Sequence, residues 1–74
     1  MKKMLMTKAK EYARRLLNLE EYLSSSTDKE EQIQLQKKIE SIVDEVCEIY
    51  EPTAMYKIDE QMSILEKSRK TLQN

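Results

Sequence analysis

The sequence predicts an all-α fold, a three-helix up-down-up antiparallel bundle with coiled-coil-like heptad seams and a tendency to dimerise. Three observations predict it. The chain has 74 residues with no glycine and one proline, so almost nothing in it interrupts a helix. Its apolar residues recur at alternating steps of four and three in three separate series, which keeps one stripe of each helix turned toward a partner. The stretches between the series carry residues that end and start helices.

The first helix is expected over about residues 3–23, with Leu5, Ala9, Tyr12, Leu16, Leu19 and Leu23 as its stripe. It ends at Ser24, Ser25 and Ser26, whose hydroxyls compete for backbone hydrogen bonds and favour caps and turns. Thr27 followed three residues later by Glu30 has the spacing of a capping box, so a second helix starts at about residue 28. Asp28, Glu30 and Glu31 add negative charge where the helix dipole favours it. The second stripe is Leu35, Ile39, Ile42, Val46 and Ile49, and the helix runs to about residue 50.

Pro52 makes continuity the question at the next boundary, because proline disfavours helix before it and is welcome in a first turn. Extending the second stripe would require apolar residues at Thr53, Tyr56 and Glu60, whereas the actual series restarts at Met55, Ile58 and Met62. A shift of two positions turns the stripe by about 200°. A turn around Glu51 to Thr53 therefore separates a third helix over about residues 53–72, whose stripe continues through Leu65 and, past the polar Arg69, Leu72. The alternative is one long kinked helix that pairs with a second chain. Residues 1–74 form a single domain on this reading, and short connections pack the helices as antiparallel neighbours. That packing sets the basic first half of helix 1 against Asp44, Glu45, Glu48 and Glu51. It also sets Lys67, Arg69 and Lys70 against the acidic start of helix 2.

Composition narrows the function classes. The 13 basic and 14 acidic residues give a net charge of −1, without the basic excess that phosphate neutralisation favours, which argues against nucleic acid as a partner. The single Cys47 excludes an intramolecular disulfide and a paired-cysteine metal motif, and fits a reducing cytoplasm. Beside Val46, it is expected to behave as a small packed hydrophobe. The opening Met1-Lys2-Lys3-Met4-Leu5-Met6 imitates a signal peptide briefly, but Lys8, Lys10, Glu11, Arg14 and Arg15 interrupt it. No run approaches the roughly 18 apolar residues of a membrane span. With no histidine, no activated nucleophile and no glycine-rich loop, no catalytic, cofactor-binding or metal-ligating set is expected, and the chain reads as a non-enzyme.

Three features remain. Glu40, Asp44 and Glu48 stand four residues apart, prolonged by Glu51 and flanked by Glu45, as a candidate acidic docking face. The apolar residues Met4, Met6, Leu17, Tyr50, Met55, Tyr56 and Ile64, with Met1 and Ile33, exceed what a thin core covers and form a candidate interface. Lys2, Lys3, Lys8, Lys10, Arg14 and Arg15 are the one candidate anion-binding segment, interleaved only by Tyr12. The first expectation is a small helical protein-binding module that works as a homodimer or in a complex. The second is an inhibitor or immunity-type protein of the bacterial or phage kind, which sets its acidic face on a basic site of a target. A nucleic-acid or lipid binder is the third.

Overall fold

The local signals produce three helices, α1 (Met6–Ser25), α2 (Lys29–Ile49) and α3 (Ala54–Gln73). The computed structural model describes the chain over residues 1–73 and its side chains over residues 1–70, so Leu72 of the third stripe lies outside the described side chains. No strand is present among the described residues beyond one isolated parallel bridge between Lys2 and Tyr50.

That bridge explains why α1 begins three residues later than the sequence suggests. Lys2 donates its backbone N–H to the Ile49 carbonyl at 3.0 Å, and Glu51 donates to the Lys2 carbonyl at 2.9 Å. The Lys57 ammonium donates to the Met4 carbonyl at 3.2 Å. With its backbone groups taken by the α2–α3 junction, the segment stays extended through Leu5, at φ −82° and ψ 154°. Lysines in a first helical turn would oppose the dipole, so the extended form also removes an electrostatic cost. Along this strap Met4 turns inward and is 1% exposed, while Leu5 turns outward.

At the α1–α2 connection, Ser26 donates its N–H to the Tyr22 carbonyl at 3.0 Å and adopts an extended conformation. The cap of α2 is Asp28, not Thr27, because the Asp28 carboxylate accepts from the Glu30 N–H at 3.0 Å. A charged acceptor at this end gains from the dipole as well as from the hydrogen bond. Gln32 reaches back to the Ser26 carbonyl at 2.8 Å and ties the connection to the helix. The second break falls at residues 50–53, where the stripe changes phase. Ala54 donates to the Glu51 carbonyl at 3.0 Å across a turn whose second position is Pro52, the place where its fixed φ fits.

The core comprises Met4, Ala9, Tyr12, Ala13, Leu16, Leu17, Val46, Tyr50, Ala54 and Ile58. Five of these lie on α1, at spacings of three, one, three and one, which give a stripe wide enough to meet two helices. Leu17, outside the first seam in the sequence, is buried for this reason, whereas Leu5 is exposed. α1 is thus the central element, packed on α3 most extensively and on α2 next, while α2 and α3 meet least. The molecule measures 38 × 32 × 13 Å, broad and thin.

This shape leaves the second stripe only partly covered. α2 buries only Val46. Ile39 and Ile42 are half-buried against the core, Leu35 is half-buried, and Ile49 stays 42% exposed. A helix covered mainly from one side cannot bury the flanks of its stripe. On α3, Ile58 is fully buried and Met55, Met62 and Leu65 are half-buried.

Candidate functional site

The acidic residues of α2 separate into two groups. Glu45 accepts a hydrogen bond from the Tyr12 hydroxyl at 3.3 Å, and the Tyr12 ring stands edge-on to Tyr50 with centroids 6.0 Å apart. Burial, followed by the negative charge of Glu45, pushes the Tyr12 hydroxyl up to about 12. Glu51 pairs with Lys57 at 3.2 Å, and that hydrogen bond, aided by Thr53 and by the charges of Lys57 and Lys3, holds its carboxyl below the usual carboxylate range. These two carboxylates therefore serve contacts within the fold. Glu40, Asp44 and Glu48 do not: all three are exposed and take part in no ion pair among the described residues.

The broad charge pairing expected between helices takes a different form. Lys8 pairs with Glu11 of its own helix at 3.2 Å and lies 5.9 Å from the Tyr12 ring centroid, so α1 meets the acidic half of α2 through a tyrosine hydroxyl. Arg69, expected near the acidic start of α2, is held instead by Glu21 at 2.6 Å and Asn18 at 2.9 Å of α1. The physical reason is the central position of α1, which gives α3 its main neighbour. Where α1 and α3 face each other with like charge, loss of solvent and then Glu66 and Asp59 raise the Glu20 carboxyl above its ordinary range.

The apolar candidates divide as well. Met4, Leu17 and Tyr50 are core residues of the chain itself, 1%, 5% and 9% exposed, which removes them from any surface. Met55 is half-buried, while Met6, Tyr56 and Ile64 are exposed. Leu5 and Ile49, which periodicity placed in the stripes, are exposed, as is Tyr22 outside them. Cys47 is exposed too, contrary to a packed role. One residue beyond the buried Val46 is about 100° around the helix, and that rotation was the signal to read.

One surface feature that brings charged and apolar groups together is a groove between α1 and α3. It is lined by Lys10, Ala13, Arg14, Gln61, Ile64, Leu65 and Ser68 and has a volume of about 200 Å³. Gln61 donates to the Met6 sulfur at 3.1 Å near its end. Small-molecule sites usually enclose about 300–1,000 Å³. A groove of this size and openness suits a ridge of side chains from another helix. Among the described residues, no group of three or more His, Cys, Asp or Glu side chains has the arrangement to hold a metal ion. No described helix is long and apolar enough to cross a membrane. In comparison with known proteins, the chain matches no family model, no curated protein and no solved structure.

Proposed function

We propose that the chain is a non-enzymatic protein–protein interaction module that self-associates, with its three helices running up, down and up. The observation that carries this reading is the unfinished burial of α2, which fully covers one residue and leaves Ile33 54% exposed beside a half-buried stripe. Exposed Met6, Tyr56 and Ile64 add to it. Large apolar groups left in water on a thin molecule gain about 25 cal/mol for each Å² that a partner covers. Contacts that rise together along α1 and α3, from Met6 with Gln61 to Asn18 with Arg69, support the directions assigned to those helices.

A second reading, that the acidic face docks on a basic site of a target protein, draws on the exposure of Glu40, Asp44 and Glu48. Sedimentation velocity over a hundredfold range of concentration tests the first reading. A mass that climbs toward twice the chain's 8.8 kDa is expected. A constant monomer mass overturns self-association and leaves the docking reading standing.

A further inference from the structure

The groove between α1 and α3 is lined by the apolar Ala13, Ile64 and Leu65 and by the basic Lys10 and Arg14. Ala13 is short and buried within the chain, and Ile64 is 53% exposed and offers the apolar surface of the groove. Lys10 and Arg14 are exposed, one helical turn apart, and enter no ion pair among the described residues. Elsewhere on the chain stands a ridge of matching pitch and opposite sign. Glu40, Asp44 and Glu48 repeat every four residues, about 6 Å along the axis, the same step as Lys10 to Arg14. Exposed Ile33 stands seven residues before Glu40 on the same side of α2, and exposed Cys47 lies between Asp44 and Glu48.

We infer that this groove receives helix α2 of a second copy of the chain, with carboxylates of the Glu40–Asp44–Glu48 row seated on Lys10 and Arg14. The inference rests on the self-association reading and names the surfaces that carry it. Charge complementarity selects the occupant. The whole chain has a net charge of −1, so two copies gain nothing from net charge, and electrostatic attraction between them needs a local match of opposite charges such as the basic groove of one on the acidic row of the other. Each copy carries one groove and one α2, so the exchange of both contacts closes a two-fold pair. The row of carboxylates aligns the helix, and Ile33 and Ile64 supply apolar area beside it.

Charge reversal with exchange tests this. One variant carries Lys10→Glu and Arg14→Glu, the other Glu40→Lys and Asp44→Lys, and sedimentation is followed at low and high salt, with circular dichroism to verify helix content. Each variant alone is expected to self-associate about tenfold more weakly than the parent, as two exposed pairs become repulsive. An equimolar mixture is expected to recover association, and added salt weakens the parent. If either reversal loses its helical signal, the neutral changes K10Q with R14Q, or E40Q with D44N, replace it. A monomeric parent overturns both this inference and the self-association reading. An oligomeric parent unaffected by both reversals overturns the inference alone. A groove reversal that weakens association while the α2 reversal does not shows that another segment occupies the groove, and also overturns it.

Discussion

Tyr12 shows how one side chain serves several contacts. Its ring packs within the main core cluster, its hydroxyl donates to Glu45, and its ring stands edge-on to Tyr50. Because the folded protein holds the Tyr12 proton to about pH 12 against 10.0 for the free group, the stabilisation is complete below pH 10 and is lost as pH rises from 10 to 12. The loss is at most about 1.4 kcal/mol per pH unit. Tyr12→Phe keeps the ring and removes the titration. Chemical denaturation at neutral pH should show a cost of about 0.5–1.5 kcal/mol for the missing hydrogen bond. The same variant should lose less stability than the parent between pH 10 and pH 12, and equal alkaline losses would refute this account of the hydroxyl.

For the elements, the caps distinguish reasoning by motif from reasoning by geometry. Thr27 and Glu30 have capping-box spacing, yet the hydrogen bond to the first turn of α2 comes from Asp28. Asp28→Ala should therefore cost about 0.5–2 kcal/mol, whereas Thr27→Ala at an exposed position should fall within about 0.5 kcal/mol of the parent. Thermal melts of the two variants check the assignment, and the reverse order would restore Thr27 as the cap. The extended strap of residues 1–5 is a different kind of element, since its backbone bonds go to a distant junction. No local property of Lys2 or Met4 encodes them. Helix propensity favours continuing α1 to the beginning of the chain, and the junction at residues 49–51 competes for the same backbone groups.

Across the whole molecule, the thinness of the core sets the scale of every substitution. A single core in a chain this short supplies about 3–5 kcal/mol. Met4, at 1% exposure, lies within the main cluster with Val46, Tyr50 and Ile58, so Met4→Ala is expected to cost about 2–5 kcal/mol. That loss is comparable to the whole, and the variant should show little cooperative unfolding by circular dichroism at 37 °C. A melting curve like the parent's would mean that the strap adds little to the core. If α2 is completed by a second copy, high protein concentration should partly rescue the same variant.

The sequence by itself determined three helices, both of the breaks between them and, of the core, Ala9, Tyr12, Leu16, Val46 and Ile58, whereas Met4, Ala13, Leu17, Tyr50 and Ala54 lie outside the stripes. These depend on local quantities: the apolar period, the absence of glycine, the serine run and the phase change beyond Ile49. It also made the acidic row of α2 legible, because residues four apart must share a helix face. Only the tertiary structure decided which helix is central, and that choice governed the rest. A central α1 buries Leu17, gives Arg69 to Glu21 and draws Glu45 onto Tyr12, while the α2–α3 junction holds Glu51 on Lys57, Met4 of the strap joins the core, and Ile33 and Cys47 stay in solvent. Periodicity specifies which side of a helix is apolar, but how much of that side is covered depends on which neighbours arrive, and that is settled by contacts far apart in the chain.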